Sequence, residues 1–339
     1  MTRSTILALL AATLALMPAA HAGSVRVVRM AIRPARLDAS RERSLLPDPN
    51  RLTDDDGAGL YAQAAQALPQ GIDGSQVGDW LKTPLSELPE AQVRAVLQQA
   101  EAGLDLTSQA ARCRHCNWPP FQPGTMPADL TEYRNLARLL CLRARLAVAQ
   151  KRYDDAISTV QTGLAMARHI GEGPTVVQGM VGVAVAAMVL GCVEDLAQAP
   201  GSPNLHGALQ TLPHPLVDLT EPISSELENL DANRQYSEPV RNMMRRQMES
   251  SFERVRQLMH RLDGTVAALR CIEALRHHVA ATDGSLPARL GDITDIKIPT
   301  AAGEAFTYRV DGAGAILEVP PPKGGRSQDA VRYEIMVAR

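Results

Sequence analysis

The sequence predicts a mainly α protein: stacked antiparallel helix pairs, forming a bundle or short solenoid, followed by a small C-terminal β-hairpin module. Three observations lead there. Between Leu60 and Val279 apolar side chains recur at three- and four-residue steps, the period of buried helix faces. After Asp283-Gly284 the pattern changes to short alternating runs around Asp311-Gly312-Ala313-Gly314, a hairpin signal. Finally, 339 residues that are 45% apolar and 21% charged are enough to close a sizeable core.

Composition also narrows the function. Two Trp, six Tyr and three Phe are too few for a carbohydrate groove or a single-stranded nucleic-acid platform, both of which need rows of exposed rings. A formal charge of −2, from 35 basic and 37 acidic residues, removes the strong basic field that duplex binding needs, and no nucleic-acid partner is expected. Residues 1–22 read as a signal peptide. Arg3 opens it, an uncharged apolar run extends from Ile6 to Met17, Pro18 breaks it, and Ala20-His21-Ala22 presents small residues for cleavage after Ala22. The expected location is therefore periplasmic or secreted. Five cysteines follow, an odd number that leaves at least one thiol unpaired in a monomer.

Residues 23–50 form a leader, with a short strand expected over Val25–Met30 and loop through the prolines beyond. A helical domain spans 51–235. Asp54-Asp55-Asp56-Gly57 fails the register of a calcium loop and is better placed as an N-cap for a helix over Leu60–Leu68. Ser75–Leu81 predicts a short helix, and Pro89 starts one that runs to Arg112. Cys113–Pro127 is irregular and rich in proline. Tyr133, Leu136, Leu140, Ala144 and Ala147 line one helix; Tyr153, Ile157, Val160, Leu164 and Ala167 line its partner, which stops at Gly171. Thr175–Val193 holds no charge, and its Gly and Ala content suits a core helix, with a membrane anchor as the alternative. Asn204–Leu212 allows a short helix on which His206 faces solvent. A long helix occupies 236–283, its seam running from Met244 through Phe252, Met259 and Leu269 to Val279. Residues 284–339 make the small antiparallel β module, with strands at Phe306–Val310, Ala315–Val319 and Val331–Val337.

Two local stretches carry resemblances. Ala147, Tyr153-Asp154-Asp155-Ala156-Ile157 and Gly163-Leu164 resemble the junction and second helix of a tetratricopeptide repeat over about 35 residues, although Lys151 stands where that family has Gly and no 34-residue period recurs. The long helix, Gly284-Ser285-Leu286-Pro287 and the following sheet resemble the C-terminal half of bacterial pseudopilins. The processed N-terminal helix of that family is missing, so filament assembly does not carry over. The whole layout is similar to a group of exported bacterial helical proteins without assigned activity, on Leu60-Tyr61-x2-Ala64, Cys116-Asn117-Trp118, Ala156 and Leu286-Pro287. This likeness implies architecture and no activity.

Cys113-Arg114-His115-Cys116 is the sharpest chemical signal. Thioredoxin-type dithiols sit at a helix N-terminus, whose dipole favours thiolate; here a helix ends just before Cys113, and Pro119-Pro120 prevents another from starting at once. A structural disulfide or a pair of reduced thiols is therefore expected at Cys113 and Cys116, with dithiol redox catalysis as the alternative. Glu273 and His277, four apart on one helix face, predict an ion pair. Arg241, Arg245 and Arg246 form a basic patch balanced by Glu249 and Glu253. No catalytic, metal or cofactor motif is written in the chain. The resulting expectation is an exported, non-catalytic interaction or structural protein of the cell envelope, meeting another protein through helix faces.

Overall fold

The computed structural model describes residues 25–38, 40, 43–120, 130–232, 234–301 and 303–338; residues 1–22, where the sequence suggests a signal peptide, lie outside them. The protein is mainly α, 57% helical, with a small strand module at the C-terminal end. Its helices are α1 (Gly57–Gln66), α2 (Gly74–Trp80), α3 (Glu90–Gln99), α4 (Glu101–Ala110), α5 (Thr131–Ala149), α6 (Tyr153–Gly171), α7 (Val176–Gln198), α8 (His206–Gln210), α9 (Thr220–Ala232) and α10 (Glu238–Ala281). The strands are β1 (Arg26–Ile32), β2 (Thr53–Asp56), β3 (Cys113–His115), β4 (Thr307–Asp311), β5 (Gly314–Val319) and β6 (Val331–Val337).

The centre is built by α5, α6 and α7. The turn between α5 and α6 requires a left-handed residue, and Lys151 takes it at φ 59°. Glycine lets α6 and α7 approach each other closely. A Cβ on Gly182 would lie 2.5 Å from the Ala167 carbonyl oxygen, and one on Gly163 would lie 2.7 Å from Val189 Cγ2. The uncharged stretch thus becomes the core helix α7, with 67% of its most apolar window buried. It is not enclosed on every side: Val177, Met180, Ala184, Ala187, Met188 and Gly191 form a partly open strip without charge.

One long helix from Pro89 to Arg112 does not form. The chain bends at Ala100, dividing it into α3 and α4, and α4 turns onto α1. Gly103 makes this packing possible, since a Cβ there would sit 2.9 Å from the Ala64 carbonyl oxygen. Nor is the passage after α4 wholly irregular, because Cys113–His115 pairs in parallel with Thr53–Asp56. Asp56 caps α1 as expected, its carboxylate accepting from Ala58 N at 3.0 Å.

The long seam divides in two. Phe252, Val255, Met259, Leu262, Val266, Leu269, Ile272 and Val279 form its buried run. Before Phe252 the helix is more exposed and packs on α9; there Met244 and Met248 are only half-buried and Met243 is exposed.

The C-terminal sheet has the order β1-β6-β5-β4. β4, β5 and β6 are antiparallel, and Gly312 at φ 60° makes the tight β4–β5 turn. The leader adds the fourth strand: β1 pairs in parallel with β6, from Arg26 opposite Val331 to Ile32 opposite Val337. The sheet is therefore mixed, and the first and last segments of the described chain meet in it. Tyr333 Oη donates to Glu194 Oε1 at 3.1 Å and Arg33 N donates to Ala197 O at 3.1 Å, tying the sheet to the end of α7.

Candidate functional site

The Cys113–Cys116 loop is held over a small aromatic cluster. Residues missing from its local motif do the holding. Tyr61 comes from α1, Tyr133 from α5 and His169 from α6. The Tyr61 and Trp118 rings stack with centroids 6.2 Å apart and planes within 9°, while Tyr133 meets Trp118 edge-on at 5.6 Å. Trp118 Nε1 donates to the His169 carbonyl oxygen at 2.6 Å. Tyr61 Oη and His169 Nδ1 are 3.0 Å apart in a buried hydrogen bond. Burial, with Arg168 adding to it, pulls His169 down to about 4, so the imidazole is neutral at pH 7. Desolvation also pushes the Tyr61 phenol well above its ordinary range.

Both cysteines of the motif are buried free thiols. Cys113 Sγ donates to Gln109 O at 3.6 Å, and Thr53 Oγ1 approaches it at 3.9 Å. Burial raises the Cys113 thiol, and the Asp55 and Asp56 carboxylates act in the same direction. Cys116 is raised further by burial, then by Glu172 and Asp56. Dithiol catalysis needs the reverse, a thiol pKa lowered by cations or a helix N-terminus. Arg114 is drawn away to Asp54, with Nε donating to Oδ1 at 3.0 Å. Asp56 receives Asn117 N at 2.9 Å as well as the cap of α1, and these two N–H donors hold its carboxyl below the usual range. The arrangement fastens a proline-rich connection to α1 and α6.

Sequence spacing did not reveal Tyr61, Tyr133 or His169 as neighbours of the cysteines. The usable signal was composition, because three of this chain's few aromatic residues, Tyr61, Trp118 and Tyr133, converge on one cluster, in which Tyr61 and Trp118 bond to His169.

The predicted Glu273–His277 ion pair is absent, for each has a better partner. Glu273 is buried with Arg276, whose Nη1 donates to both carboxylate oxygens at 2.8 Å. Arg276 also donates to the Arg33, Pro203 and Ser202 carbonyls and to Ser202 Oγ, clamping the leader and the α7–α8 connection onto α10. His277 Nδ1 accepts from Leu37 N at 3.0 Å, which leaves Nε2–H to donate to Asp295 Oδ2 at 2.6 Å. His206 does not face solvent; it is buried where α8 meets α10. In the basic patch Arg245 pairs with Asp231 and Glu249, and Arg241 donates to Tyr236 O.

An open cleft of about 620 Å³ lies between α1, α2 and α5. Its polar lining is largely engaged internally: Arg138 Nη1 donates to Asn135 Oδ1 at 3.2 Å, and Asn135 Nδ2 to Glu132 Oε2 at 3.3 Å. Among the described residues no group of three His, Cys, Asp or Glu side chains could hold a metal ion. The sequence matches no family model, no curated protein and no solved structure.

Proposed function

We propose that this is an exported, non-catalytic protein of the cell envelope that binds another protein through a helix face. The observation that carries the reading is the open strip of α7. In a helix whose other faces are buried, Val177, Met180, Ala184, Ala187, Met188 and Gly191 present small or apolar groups and no charge. Surfaces of this kind suit protein contact, and the two methionines supply adaptable packing. The buried, raised thiols of Cys113 and Cys116 support a structural role for the only motif with a chemical look.

A photo-crosslinking amino acid at position 187, which is exposed, tests this in the native cell. A discrete adduct with one protein, lost when Ala184 is changed to Arg, is expected. An adduct pattern made of lipid alone would replace the reading with membrane association, and no adduct at all would overturn it. Turnover in an insulin-reduction assay would overturn the non-catalytic half.

A further inference from the structure

The connection from Ser202 to Leu216 lies along one stripe of α10, and the polar groups of that stripe are matched in turn. Asp263 Oδ1 accepts from Leu216 N at 2.9 Å. Glu273 Oε2 accepts from Leu205 N at 3.0 Å while its carboxylate also binds Arg276. His277 is held between Leu37 N and Asp295. Two groups between these anchors are exceptions. His206 is 6% exposed, and its Nε2 has no hydrogen-bond partner among the described residues. Arg270 Nε is buried and equally without a partner, and no carboxylate among the described residues pairs with its guanidinium.

We propose that His206 and Arg270 form a binding site for an oxyanion, the carboxylate or phosphate group of a small molecule, at the seam between α8 and α10. The Leu205–Glu273 bond fixes His206 one turn along α10 from Arg270, since residues 270, 273 and 277 share a helix face. Arg270 is only half-buried, so its guanidinium reaches solvent as well as the seam. A buried N–H left unmatched has lost its water without a replacement, and an anion accepting from both groups supplies one with charge assistance. The surrounding charges favour such a guest. Glu273 is neutralised by Arg276 and Asp295 is occupied by His277, which leaves Arg270 as the cation of this stretch of α10 with no carboxylate paired to it among the described residues. Burial, then Arg270 and His277, draws His206 down to about 4, and the negative charge of a bound anion opposes the influence of Arg270 and His277. The site is separate from the α7 strip and does not depend on the protein-binding proposal.

The test titrates the full mature chain with inorganic phosphate and, separately, acetate, at constant ionic strength in chloride. The imidazole signal of His206 is followed by NMR and identified by its loss in His206→Gln. A saturable shift with a midpoint of about 1–10 mM is expected, with the His206 pKa rising by about one unit or more at saturation. Arg270→Gln should weaken binding about tenfold or more, and Arg270→Lys should retain part of it because the charge survives without the fork. Tighter binding of phosphate would identify a phosphorylated ligand class, and tighter binding of acetate a carboxylate. Circular dichroism checks the fold of each variant, and the lysine variant carries the comparison if the glutamine variant unfolds. No saturable shift up to about 50 mM, or the same shift in both Arg270 variants as in the parent, would overturn the site.

Discussion

Replacing His169 with Gln removes one buried titrating group, and the effect on acid stability can be worked from the structure. In the unfolded chain the imidazole protonates near its ordinary value of 6.5; in the folded chain it resists to about 4. Its contribution to folding is complete above pH 6.5 and is lost as pH falls towards 4, because the unfolded state binds the proton first. Over the full shift this amounts to about 3 kcal/mol. His206 behaves in the same direction, drawn to about 4. Asp195 opposes both. Burial raises it to about 6 from 3.8, so its contribution is complete below 3.8 and is lost as pH rises through 6. A single profile therefore mixes signs, whereas the difference between parent and variant isolates one residue. At pH 7.5 His169→Gln should cost about 1 kcal/mol for the disturbed Tyr61 bond. By pH 4.5 the difference should shrink and change sign, as the parent loses about 2–3 kcal/mol that the variant keeps. Urea titrations followed by tryptophan fluorescence at pH 7.5, 6.5, 5.5 and 4.5 measure this. A stability difference constant across the four pH values would refute the buried neutral histidine.

Other substitutions probe the packing. Gly182→Ala should destabilise by about 3 kcal/mol, because its Cβ meets backbone at Ala167 and Gly171, whereas Gly191→Ala on the same helix meets nothing within 4 Å and should stabilise by about 0.5–1 kcal/mol; urea midpoints compare the two. Arg276→Met should cost about 3–5 kcal/mol by leaving Glu273 buried without its partner, and adding Glu273→Leu should recover part of the loss in the same assay. Lys151→Gly should raise stability by about 1 kcal/mol by relieving a left-handed backbone, read as a higher thermal midpoint.

Much of the fold was visible in period and punctuation. The α5–α6 hairpin, the chargeless α7, the long α10 and the strands at 307–311, 314–319 and 331–337 each announce themselves through local pattern. What escaped was long-range. Nothing near Arg26–Ile32 indicates that it completes a sheet with Val331–Val337, some three hundred residues away. The bend at Ala100 has no proline or glycine at that position; it answers to α1 packing against α4. Helical spacing paired Glu273 with His277, yet Arg276 lay on an adjacent face and the arriving leader supplied carbonyls that favoured it. For the cysteine loop, the motif marked the place but not its surroundings: Tyr61, Tyr133 and His169 reach it only after three helices have packed.

The central claim is that the groups with a chemical appearance are spent on holding helices together. The most direct check is the pH dependence of iodoacetamide labelling at Cys113 and Cys116 in the reduced native protein, read site by site by mass spectrometry. Both thiols should label slowly below pH 9 and become fast only when the chain is unfolded. Rapid labelling of either cysteine at pH 7, with a midpoint below that value, would show an activated thiol and contradict the account.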